Sequence, residues 1–98
     1  MGTDARTVGT GHAVLASVVN ANNGAAAVRA ATKGTGPGVE ASSAAGVGAR
    51  FAGKIAQMQL VPSPDAEHPA VGIAGQLFVD ASNRLWFCRG DADWQQMA

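Results

Sequence analysis

Between Gly9 and Gly53 the chain is built mainly from glycine, alanine, serine, threonine and asparagine, with valines spaced among them. Such a stretch constrains folding severely, because small side chains bury little apolar surface and glycine loses much backbone entropy on ordering. A loose unit recurs within it: a small residue, a valine, any residue, an alanine. It reads "AVLA" at Ala13–Ala16, "AVRA" at Ala27–Ala30 and "GVEA" at Gly38–Ala41, with a degenerate "GVGA" at Gly46–Ala49. Turn-forming clusters separate the units: "NANNG" at Asn20–Gly24, "TKGTGPG" at Thr32–Gly38 and "SSAAG" at Ser42–Gly46. Glycine and asparagine supply positive φ at turns and Pro37 fixes a bend, so the pattern predicts short extended segments joined by turns. The rival reading of "NNGAAAVRAATKG" is an alanine-rich helix with an asparagine cap and a closing Gly34. That helix would be short and would carry one large apolar residue, Val28, which leaves it marginal in isolation.

The rest of the chain has two further zones. "KIAQMQLV" at Lys54–Val61 alternates as a strand does. Pro62, Pro64 and Pro69 then exclude a helix or a central strand and predict an extended connector. From Gly75 onward "QLFVD" and "RLWFCR" are rich in strand formers and are joined by "ASN", where Asp80 caps the turn and Asn83 takes the left-handed position. "GDAD" turns the chain again into "WQQM". A three-stranded antiparallel meander is expected, with Leu77, Val79, Leu85 and Phe87 on one face and Phe78, Trp86 and Cys88 on the other. With both faces apolar, the small sheet is expected to lie against something else, most simply a neighbouring subunit.

The 98 residues therefore divide into an N-terminal extension (1–11), a Gly/Ala/Val repeat stem (12–61), a proline-rich connector (62–74) and a meander cap (75–98). Of the hydrophobic residues, 47% of the chain, alanine is the commonest type. A single copy has a thin core for its length, and burial against other copies is the usual remedy. A single-chain triangular solenoid takes about 18 residues per turn, as three hexapeptide sides. The spacings from Val14 to Val28 and from Val28 to Val39 are shorter than that. Three chains winding around one axis need only such short units. The expected fold is all-β, an intertwined trimeric β-helix or β-prism stem followed by the meander cap. Its trimer core is expected to be Val14, Val28, Val39, Val47, Phe51, Ile55, Met58, Leu60, Leu77, Val79, Leu85 and Phe87.

Signals for chemistry are sparse. "GARFAGKI" at Gly48–Ile55 approaches the phosphate-loop pattern, but Ile55 stands where the magnesium-binding hydroxyl belongs, and no apolar strand precedes it. His12 and His68 are the only histidines and read as solvated loop residues. Asp80, Asp91 and Asp93 read as turn formers rather than calcium ligands. Cys88, the sole cysteine, excludes an internal disulfide and reads as a buried thiol. Ser42 and Ser43 have no base beside them, so no nucleophile is argued. Trp86 and Trp94, with Asn83 and Asp91 in the adjoining turns, are the candidate ligand contacts if the tryptophans form an exposed platform for a glycan or peptide; core or subunit interface is the alternative. Seven basic and seven acidic residues, scattered without blocks, argue against a nucleic-acid face. No apolar run of 18 residues predicts a transmembrane helix, and the N-terminus reads as neither a signal peptide nor a myristoylation site. No enzyme activity, cofactor or metal is expected.

With these residues laid out, the chain resembles a recurring kind of bacterial and phage repeat protein. Its members carry tandem Gly-Val-x-Gly/Ala-x-Ser units and end in a cap of the form Gly-x-Leu-Phe/Tyr-Val-Asp-x-x-Gly-x-Leu-Trp-x-Cys, followed by a turn and a last tryptophan. The repeats are similar in "GTGPGVEASSAAGVGARFAG" and the cap in "GQLFVDASNRLWFCRGDADWQQM", with Asn83 where glycine is usual and a short "GDAD" loop. The resemblance implies a homotrimeric, fibre-like β-helix or β-prism assembly similar to phage tail-fibre shafts. Its role would be structural or in attachment, as part of a larger fibre, baseplate or surface assembly.

Overall fold

The computed structural model describes residues 2–98. The chain forms two units that divide between Gly48 and Ala49, inside the stretch read as stem. In the first unit no residue from Gly2 to Gly48 lies in a helix or a strand. The alanine-rich helix is therefore absent, as expected for so short a helix with one large apolar side chain. Turns shape this unit instead, and side-chain oxygens fix them. Thr7 Oγ1 accepts from Gly9 N–H, Asn20 Oδ1 from Asn22 N–H, Asn23 Oδ1 from Ala25 N–H, Thr32 Oγ1 from Gly34 N–H and Ser43 Oγ from Gly46 N–H, all at 2.9–3.1 Å. Serine, threonine and asparagine favour such local bonds to the main chain, so these residues recur where the chain bends. Among the described residues of this unit the one main-chain bond is Asn23 N–H to Asn20 O. Every described residue up to Pro62 is exposed.

The second unit contains the all-β part of the chain. Strands β1 (Leu77–Val79), β2 (Leu85–Cys88) and β3 (Trp94–Gln96) form one antiparallel sheet in the order β1-β2-β3. The register pairs Leu77 with Phe87, Phe78 with Trp86 and Val79 with Leu85; on the other side of β2, Cys88 pairs with Trp94 and Trp86 with Gln96. Directly paired residues share a face, so Leu77, Val79, Leu85 and Phe87 lie together, and Phe78, Trp86, Cys88 and Trp94 lie opposite. The expected meander and its two faces are both present.

Both hairpin turns follow from their residues. Between β1 and β2, Asn83 has φ 64° and its N–H donates to Asp80 O at 3.0 Å. This is the three-residue loop with a left-handed third position, which asparagine tolerates better than most residues. Between β2 and β3, Asp91 and Ala92 both have positive φ (51° and 57°), the pattern of a type I′ turn, and Asp93 N–H closes it on Gly90 O. A third turn leads into β1: Gly75, at φ 92°, lets Gln76 N–H reach Ile73 O. Gly75 N–H donates to Cys88 O while Cys88 N–H donates to Gln76 O. Two residues thus face one, the glycine-headed bulge that starts the sheet and adds local twist.

Two expectations change. The segment 54–61 pairs with no strand of its own chain. Alternation in sequence gives a strand only where a partner supplies the ladder bonds, and the β1 edge is taken by the residues that follow. Ser63 N–H donates to Val79 O at 2.9 Å and Ala81 N–H to Asp65 O at 2.8 Å, so the connector occupies the outer side of β1. Nor does the sheet need a neighbour on both faces, because the connector itself covers the tryptophan face. Gly72 lies so close that a Cβ there would sit 2.8 Å from Cys88 Sγ and 2.9 Å from Trp94 Cζ2. Both atoms belong to buried side chains held by the sheet. Gly72→Ala is therefore expected to destabilise the cap by about 1–3 kcal/mol, the cost of overpacking a close-fitted site. Thermal unfolding followed by tryptophan fluorescence measures it.

Candidate functional site

The cap holds four of the chain's five phenylalanine and tryptophan side chains, and one carboxylate organises its polar groups. Asp80 directly follows β1 and is fully buried. Its Oδ1 accepts from Ser82 N–H at 2.9 Å and Arg84 N–H at 3.0 Å, and its Oδ2 from Arg84 Nε at 2.7 Å and Trp86 Nε1 at 2.9 Å. A buried carboxylate is costly unless its lone pairs are satisfied; here four donors meet it. Burial pushes its pKa up. The bond from Trp86, with those from Arg84 and Ser82, outweighs burial and lowers the pKa from 3.8 to about 2. Arg84 extends the network, since its Nη2 donates to Ala66 O at 2.9 Å and its guanidinium lies 5.6 Å from the Trp86 ring centroid. One carboxylate thus joins the hairpin loop, β2 and, through Arg84, the connector.

Beside this network lies an aromatic cluster. The His68 ring stacks on Trp94 with centroids 5.5 Å apart and meets the Trp86 ring edge-on at 4.6 Å. Phe78 packs edge-on to Trp94 at 6.2 Å. Trp94 Nε1 donates to Val71 O at 3.2 Å, and the His68 Nδ1 lies 2.8 Å from Pro69 O. Cys88 is buried beneath the same cluster, 0% exposed.

The four candidate ligand contacts are not brought together as a platform. Trp94 is only 9% exposed, with His68 stacked on it, so its assignment as an exposed contact is corrected: it is a core residue of the cap. Its ring is large, its indole N–H has a main-chain acceptor inside the cap, and burial satisfies both properties. Trp86 is half-buried and spends its N–H on Asp80. Asn83 and Asp91 stay exposed in separate hairpin turns. His68 was read as a solvated loop residue and is instead half-buried against both tryptophans.

Sequence reasoning identified Asp80 as a turn cap but missed its bonds to Arg84 and Trp86. The signal was present, because Asp80, Arg84 and Trp86 stand at even spacing across a three-residue hairpin loop, which aligns them on one side. Nothing in "DAEHPAVG" announced the placement of His68 or Gly72. Among the described residues no cavity is found and no three His, Cys, Asp or Glu side chains gather as metal ligands. No helix among the described residues is long and apolar enough to cross a membrane. The chain matches no protein-family model, no curated protein and no solved structure.

The Asp80 network gives the cap a defined acid response. The depressed pKa means that the carboxylate contributes stability that is fully present above the unfolded value of 3.8 and is lost as pH falls through about 2. Melting temperatures measured by tryptophan fluorescence are expected to fall between pH 4 and pH 2. In Asp80→Asn the cap should melt lower at neutral pH, because an amide nitrogen would face the donors on one side, and this part of the acid dependence should disappear.

Proposed function

We propose that this chain is the subunit of a non-enzymatic, intertwined homotrimer that serves a structural or attachment role in a fibre- or spike-like assembly. One observation carries the reading. Val14, Val28, Val39, Val47, Phe51, Ile55, Met58 and Leu60 are all exposed in the single chain, between 40% and 96%. The segments that bear them are nevertheless shaped by turns that recur along the sequence. Extended exposure of large apolar side chains marks a surface that another protein covers. The repeating turn argues that the cover repeats as well, as further copies of the same chain do.

Three copies fit better than one or two. The valine units are too short for a solenoid formed by one chain, whereas three chains around an axis each supply one side per unit. Glycine and alanine allow the backbones to approach, and the main chain of the first unit, nearly without internal bonds, has donors and acceptors to offer. The cap then follows the stem, with Leu77, Val79, Leu85 and Phe87 on the more open face of its sheet, Leu77 exposed and the other three half-buried. The loops 81–83 and 90–93 project polar residues for contact with other components of the assembly.

Light scattering coupled to gel filtration is expected to give about 29 kDa, three times the 9.8 kDa chain. Val39→Asp should lower the mass to that of one chain while the cap still unfolds cooperatively, because a charge on a shared axis is desolvated three times over. A wild-type mass of one chain would refute the trimer.

A further inference from the structure

The cap sheet has one edge closed by its own chain and one edge open. The ladder alternates, so the pattern of bonds fixes which groups face outward. Met97 N–H donates to Leu85 O, and Arg89 N–H donates to Asp93 O, which places Gln95 opposite Phe87 as a bonded pair. The main-chain groups of Trp94 and Gln96 therefore point away from β2, and β3 is the outermost strand. On the other side, the residues Ser63 to Asp65 take the outer positions of β1. Between Trp94 and Gln96 the β3 edge carries no proline and no lysine, two of the devices that normally guard an exposed edge, and its bulge, where Met97 and Ala98 both face Leu85, comes only after Gln96.

The same unit holds a segment with the reciprocal lack. Lys54–Val61 alternates in sequence as a strand does, bends at Lys54, Ile55 and Gln57 in the single chain, has no ladder partner there, and exposes Ile55, Met58 and Leu60. It leads directly into Ser63, which is bound at the β1 edge, on the far side of the sheet from β3. Two strand spacings of about 4.8 Å separate those edges.

We propose that residues 54–61 of one copy add as a fourth strand, parallel to β3, on the cap of a second copy. The inference rests on the trimeric reading and names the contact that closes it. Charge and pattern fix the direction. In parallel alignment Lys54 comes beside the turn that carries Asp91 and Asp93, two exposed carboxylates, of which Asp93 also faces Arg89 at 3.6 Å and accepts from Gln95 Nε2 at 2.7 Å. Ala56 then stands beside Gln95 and Met58 beside Met97. Gln95 and Met97 lie beside Phe87 and Leu85, so Ala56 and Met58 extend that apolar face across the subunit boundary. Each cap receives one strand and each chain gives one, a head-to-tail arrangement that closes as a ring of three. Main-chain bonds supply the affinity and the alternating side chains the register, as in other strand additions.

The test uses the whole protein. Amide exchange followed by NMR should show Trp94 and Gln96 N–H slowed about 100-fold or more relative to the monomeric Val39→Asp variant, although neither faces β2. The double variant Ala56→Cys/Gln95→Cys, oxidised under mild conditions, should give disulfide-linked dimers and trimers on denaturing gels; Ala56→Cys/Leu77→Cys should not. A mass of three chains with fast exchange at Gln96 and no linkage between copies would overturn the strand addition and leave the trimer standing. A mass of one chain would overturn both.

Discussion

The fold of the cap depends on the burial of one negative charge. Asp80 sits where β1 turns into the loop, and its four hydrogen bonds tie together parts of the chain that otherwise share few contacts. The two main-chain donors fix the hairpin turn, the Trp86 indole fixes the rotation of a large ring, and the Arg84 guanidinium reaches past the carboxylate to Ala66 in the connector. Strands of three and four residues cannot hold a sheet by ladder bonds alone. The charge replaces part of the apolar core that so small a unit lacks. It also explains the choice of aromatic residues, because tryptophan combines a wide apolar surface with one donor, and both indoles in the cap use that donor.

The two units obey different rules. The cap buries its own chemistry: a thiol, a carboxylate and an indole ring lie inside fewer than forty residues, and the connector, with a glycine at its closest approach, serves as lid. The first unit buries nothing and invests its polar side chains in turns. Side-chain oxygens that close local turns cost little and need no tertiary partner, so they shape an extended chain before any assembly exists. In the proposed trimer that preshaping reduces the entropy lost when the valines come together.

How much of this was legible in the sequence follows from the range of each interaction. Local rules worked where local chemistry decides. Asn83 at positive φ, the three-residue loop and the alternation that assigns Phe78, Trp86 and Cys88 to one face all depend on neighbours within a few positions. Long-range placements stayed hidden. His68 reaches Trp94 across 26 positions, and Gly72 reaches Cys88 across two turns and two strands, so neither residue type nor spacing signals the contact. The segment 54–61 illustrates a different gap: the pattern of a strand was readable, but the pattern says nothing about which chain provides the partner.

The position of the connector links these points. Because residues 63–65 take the β1 edge, the sheet keeps a single open side, and because His68 and Gly72 cover the tryptophan face, the face of Leu77 is the more open of the two. A cap with both edges and both faces free would associate in many ways. One closed on two of its four sides by its own chain offers only adjoining surfaces, the β3 edge and the face of Leu85 and Phe87, which meet along Gln95 and Met97. Adjoining surfaces of that kind favour one mode of contact over others, and a single directional contact repeated by identical subunits either closes into a ring or grows without end. In the proposed trimer the stem favours the ring, since its small residues let three backbones approach one axis.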